Sequence, residues 1–161
     1  MSTVSGPDVA KIWFEDFKPG SVAEYGPRVV SREEILSFAA EYDPQPMHLD
    51  EEAARHTLLG GLSASGWHTC CLMMRMIADG FILKSSSMGA NAIEEVRWHA
   101  PVRPGDALTV RATVLDARAS KSRPEMGIVS MLFEVFTGSG QKVMTMKSPL
   151  LMALREPGRA A

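Results

Sequence analysis

A helical first half followed by long β-rich runs predicts an α+β fold in which one antiparallel sheet wraps a central helix. Three observations carry this prediction. Capped helical patterns end by Gly80, four runs of β-branched and apolar residues follow with short turns between them, and one helical segment, SASGWHTCCLMMRMIADGF, has little polar face. Such a helix needs a cover on most sides, and the sheet is its natural one.

The elements follow in order. Residues 1–12 are polar and irregular and are expected to form a flexible leader. WFEDFKPGS ends in a Pro-Gly turn signal and is expected to dock on the domain. A short strand from Val22 to Val30 is interrupted by Gly26-Pro27. Ser31 and Glu34 in SREE form a capping-box pattern, and Ile35, Phe38 and Ala39 supply the apolar face of the helix it opens. Pro44 disfavours helical geometry at Asp43, so that helix stops near Tyr42 and YDPQPMH reads as a loop. LDEEAARHTLLGG gives a short helix closed by Gly60-Gly61, and the apolar helix ends at Gly80.

AIEEVRWHAPV, ALTVRATVLDARA, GIVSMLFEVFTG and KVMTMKSPLLMAL are the expected strands. RPGD, KSRPEMG and Gly138-Ser139-Gly140 separate them at spacings that favour hairpin or meander connections. One domain spanning 13–155 is expected, with a flexible tail at 156–161.

Composition narrows the function classes. With 45% hydrophobic residues, 22% charged residues and a formal net charge of −2, the chain has no general attraction for nucleic acid or anionic lipid. No apolar run reaches the roughly 20 residues of a membrane-spanning helix, and the start lacks a secretory pattern. The cytoplasm is the expected location. Cys70 and Cys71 are adjacent, offer neither a disulfide framework nor a CxxC site, and read as small core residues, as do most of the 11 methionines. His56, His68 and His99 fit no zinc spacing, so no metal is expected, and His68 reads as a satisfied interior group or a pocket wall.

Asp43 and His48 frame two prolines. On a helix they would stand about 140° apart and on a strand they would face opposite ways, but a curled loop stiffened by Pro44 and Pro46 can bring them together. That arrangement suits two proton-transfer groups, while the same residues also suit a turn and a helix cap. Gly66, near the start of the apolar helix, suits a ligand oxyanion at free N–H groups, or close helix packing.

FAAEYDPQPMHLDEEAA followed by GGLSASGWHT resembles the signature of the MaoC-like hydratase family, and FEDFKPG, VRWHAPVRPGDALTV and GIVSMLFEVFTGSGQKVM extend the resemblance over most of the chain. Asp43, Pro46, His48 and Gly66 match the acid, proline, histidine and helix-start glycine of that signature, while Gln45 stands where asparagine is usual. The resemblance implies a hot-dog fold, usually dimeric with sites near the subunit interface. It also implies reversible hydration of a 2-enoyl-CoA to an (R)-3-hydroxyacyl thioester without a cofactor. Asp43 and His48 would hold the water and Gly66 N–H would polarise the thioester oxygen. Gln45, Met47, Ser65 and Trp67 are expected to contact substrate, and Lys121 and Arg123 suit a coenzyme A phosphate in type. A homodimer or higher homo-oligomer is the expected assembly. A hot-dog thioesterase and a non-catalytic acyl-thioester binding module are the competing readings.

Overall fold

The structure is a computed structural model and describes residues 12–157. The leader and tail expected to be flexible fall largely outside the described residues. Ile12, counted with that leader, is tied down: its N–H donates to Lys84 O at 3.1 Å and its carbonyl accepts from Ser86. A single turn of 3-10 helix at Phe14–Asp16 comes next.

Strand β1 (Val22–Val29) leads into α1 (Arg32–Tyr42), a four-residue turn α2 (Pro46–Leu49), α3 (Glu51–Arg55) and the central helix α4 (Gly66–Gly80). Then come β2 (Ser87–Gly89), β3 (Glu95–Trp98), β4 (Ala107–Ala119), β5 (Met126–Phe136) and β6 (Lys142–Ala153). The six strands form one antiparallel sheet in the order β1-β4-β5-β6-β2, with β3 also paired to β6. This is the expected hot-dog arrangement. β4, β5 and β6 make the meander that their turn signals predict. The sequence pattern missed β2, whose three residues are too few to show a period.

Ser31 caps α1 by accepting from Glu34 N–H at 3.1 Å, and the Glu34 carboxylate meets the Ser31 hydroxyl at 3.3 Å. On α4, Ser65 accepts from Trp67 N–H at 3.2 Å and so supplies the cap. Leu72, Met73, Met76 and Ile77 of α4 lie in one buried cluster with Leu108, Val110 and Val114 of β4 and Val129, Met131, Phe133 and Val135 of β5. Burying each such side chain is worth about 1.5–3 kcal/mol, so this apolar contact holds the sheet around the helix.

Seven methionines, at 73, 76, 126, 131, 144, 146 and 152, are buried. Cys70 fits the core reading: its thiol reaches the Met144 sulfur at 3.6 Å and burial pushes it up to about 11. Cys71 departs from it and is exposed, because it falls on the face of α4 that the sheet leaves open. Trp67, one turn earlier on the helix, is likewise 60% exposed. No helix among the described residues is long and apolar enough to cross a membrane.

β1 continues through Gly26-Pro27 with a shift of register against β4 between Tyr25 and Arg28. Gly26 has φ +112°, and a Cβ there would lie 2.7 Å from Leu108 O, a backbone atom that cannot move aside. We expect Gly26→Ala to lower stability by about 1–3 kcal/mol, read as a lower urea midpoint at unchanged m-value.

Candidate active site

α1 ends where the sequence says it must. Asp43 N–H closes the helix on Ala39 O at 3.0 Å, and its own φ −149°, ψ 69° leaves helical space ahead of Pro44. The chain does not stay a loop through His48, as the two prolines suggested. Pro46 occupies the first position of α2, where a missing N–H costs nothing and its fixed φ suits a helix. Its single turn folds His48 back toward the end of α1, leaving His48 Nε2 3.5 Å from Asp43 Oδ2.

Both groups are nearly enclosed, with side chains 8% exposed for His48 and 15% for Asp43. Each is held by a separate partner. His48 Nδ1 lies 2.8 Å from Ser63 O, and because a carbonyl only accepts, that nitrogen carries a proton. In the neutral ring the Nε2 lone pair therefore faces the carboxylate. At 3.5 Å the two acceptors do not bond to each other, and one water donating to both would fit their chemistry.

Asp43 Oδ2 accepts from Ser65 Oγ at 2.6 Å and Oδ1 accepts from Gln45 Nε2 at 2.7 Å. Burial pushes the Asp43 carboxyl up, but the hydrogen bonds from Ser65 and Gln45 and the charge of His48 together outweigh it, so its pKa lies below the ordinary carboxylate value.

Gly66 is the first residue of α4, and its N–H has no hydrogen-bond acceptor among the described residues. Its lack of a side chain has a steric cause. A Cβ would meet Trp98 ring atoms at 2.5–2.9 Å, and the indole Nε1–H donates to Gly66 O at 3.0 Å. Close packing and a free N–H therefore coexist at one residue.

Asp43, His48 and Gly66 open on one cleft of about 500 Å³. Gln45, Met47 and Trp67 line it, as do Ser63, Trp98, His99 and the 100–102 segment. Sequence reasoning missed this last group. A backbone acceptor such as Ser63 O has no sequence signature, and residues 99–102 follow β3 without a motif of their own.

Four of the residues singled out in the sequence lie outside the cleft wall. Ser65 is fully buried and does not line the cleft, because its hydroxyl is taken up by Asp43 and by the cap of α4. Lys121 and Arg123 lie in the β4–β5 turn and do not line it either. Trp98 is level with Val110 across β6 and β5, and the turn begins beyond Ala119, about 30 Å along the strand at 3.3 Å per residue. His68 is buried but neither lines the cleft nor is fully satisfied. It stacks on Phe38, its Nε2 is 3.6 Å from Glu34, and its Nδ1 has no partner among the described residues.

Comparison with known proteins places the fold in a family. The MaoC like domain family matches residues 16–132. The solved structure of a MaoC-like dehydratase from Rhodospirillum rubrum superposes with a TM-score of 0.81 at 38% identity, over 90% of this chain and 99% of that one. An uncharacterized Bacillus subtilis protein is 32% identical over 130 residues, 80% of this chain and 90% of its own. An (R)-specific enoyl-CoA hydratase of R. rubrum is 29% identical over 117 residues, 69% of this chain and 75% of its own. Family match and fold agree, and the chain belongs to the MaoC-like domain family, among hydratases and dehydratases.

Proposed function

We propose that the protein adds water reversibly across the double bond of a 2-enoyl-CoA or related acyl thioester to give an (R)-3-hydroxyacyl thioester. The observation that carries this reading is the pair of acceptors 3.5 Å apart, Asp43 Oδ2 and His48 Nε2, in the cleft that Gly66 also lines. Two acceptors hold both hydrogens of one water and leave its oxygen lone pairs free to attack.

In the proposed reaction the thioester oxygen accepts from Gly66 N–H and C3 stands over the water. Asp43 draws one proton as the water oxygen bonds to C3. The electron pair of the double bond moves onto the thioester oxygen as an enolate, and C2 then takes one proton back across the Asp43–His48 pair. Of the water's two hydrogens, one ends on C2 and one stays on the new hydroxyl. The sequence of steps needs no redox cofactor or metal. Gln45, in place of the usual asparagine, reaches Asp43 Oδ1 and so supports the carboxylate that this chemistry requires.

The expected contact of Gln45, Met47 and Trp67 with substrate fits their place in the cleft wall. The reading includes a homodimer: Leu58, Trp67 and Trp98 are exposed beside the cleft, and among the described residues β3 pairs with β6 alone. Lys121 and Arg123 would serve a coenzyme A phosphate only if pairing or higher assembly carries that turn to a cleft.

With a panel of short 2-enoyl-CoA thioesters, Asp43→Asn and His48→Ala should each lower kcat by about 10²–10⁴-fold with the fold intact by circular dichroism. The product should be the (R)-3-hydroxyacyl thioester on a chiral column. Free coenzyme A thiol in its place would assign a thioesterase.

The acid limb of the rate profile tests the carboxylate. Gln45→Leu removes a donor that stabilises the anion, so the Asp43 pKa should rise and activity should fail at a higher pH than in the wild type. A limb that stays put or moves to lower pH would exclude Asp43 as the base.

A further inference from the structure

The Arg103 guanidinium is engaged with backbone carbonyls. Nη1 donates to Gly61 O at 2.7 Å and to Leu62 O at 3.2 Å, and Nη2 donates to Leu59 O. Its backbone is fixed as well, with Arg103 N–H donating to Asp106 Oδ2 at 2.7 Å. One planar fork thus gathers three carbonyls of a segment that contains Gly60 at φ +67° and Gly61, residues with little conformational preference of their own. Directly beyond them, Ala64 N–H donates to Val102 O at 2.9 Å.

That segment matters because it runs straight into the groups that hold the site. Ser63 O fixes the proton on His48 Nδ1, and Ser65 Oγ donates to Asp43. The two groups that would share the water are therefore both referenced to residues 63–65, and those residues are referenced to Arg103 and Val102. We infer that Arg103 is a positioning residue that, through the carbonyls of Leu59, Gly61 and Leu62, sets the register of Ser63 and Ser65 and so holds His48 in its Nδ1–H tautomer beside Asp43. Its part in turnover rests on the hydratase reading; its hold on the His48 ring does not.

Because of that separation, the test reads structure and turnover independently. In ¹⁵N-labelled protein at a pH where His48 is neutral, long-range ¹H–¹⁵N correlation identifies which ring nitrogen bears the proton. The wild type should show Nδ1–H. Arg103→Met should show loss of that single tautomer and a fall in kcat on the order of 10²-fold, as a displacement near 1 Å at a reacting group produces.

Arg103→Lys offers one point donor in place of a fork and should fall between the two on both readouts. A folded Arg103→Met that keeps Nδ1–H overturns the inference, and one that loses it with kcat within twofold of wild type overturns its part in turnover. If that variant does not fold, Arg103→Lys decides: wild-type ring signals and kcat overturn it, and an intermediate tautomer ratio supports it. A wild type that hydrates no 2-enoyl thioester, in which Arg103→Met still disturbs the His48 tautomer, removes the hydratase reading and leaves the positioning role standing.

Discussion

The segment from Leu59 to Gly66 is the constraint on which the site depends. Within eight residues it gives three carbonyls to Arg103, a fourth to His48, a hydroxyl to Asp43, a cap to α4 and the glycine that lies against Trp98. None of these groups can shift alone. Moving the start of α4 would drive Gly66 into the indole or pull Ser65 from the carboxylate. The two proton-transfer groups come from another part of the chain, but their orientation is written here.

This division lets the fold serve rigidity and chemistry at once. The sheet and the buried face of α4 hold one another by apolar contact, which is strong but indifferent to small rotations. Hydrogen bonds at the helix start supply the direction that apolar contact lacks. Asp43 shows the balance in miniature: enclosure alone would favour its neutral form, and two donated hydrogen bonds with the charge of His48 return the preference to the anion.

Most of the fold was legible because it rests on local rules. The Ser31 cap, the stop before Pro44, the glycine ending α4 and the turn signals between β4, β5 and β6 all act over a few residues, and each appears where the sequence places it. Asp43, His48 and Gly66 were legible as residues, and their company in one cleft agrees with the pattern they match. Long-range features were not legible. The Ser63 carbonyl, the Trp98 ring against Gly66 and the Arg103 fork are decided by register across the sheet and by loop packing over 15 to 44 positions of separation. The direction of Ser65 was hidden for a related reason: a serine beside a glycine can face ligand or carboxylate, and the completed cap turns its hydroxyl to Asp43.

The sulfur-rich interior has a chemical consequence of its own. Thioethers at Met73, Met131, Met144 and Met152 lie under the sheet, whereas Met74 and Met88 stand about half in solvent. An oxidant would convert the outer pair to sulfoxides first, at little cost to packing, since those side chains fill no core space. Sulfoxide on an inner methionine would instead record a moment when the strands parted, making these buried atoms reporters of how often the domain breathes.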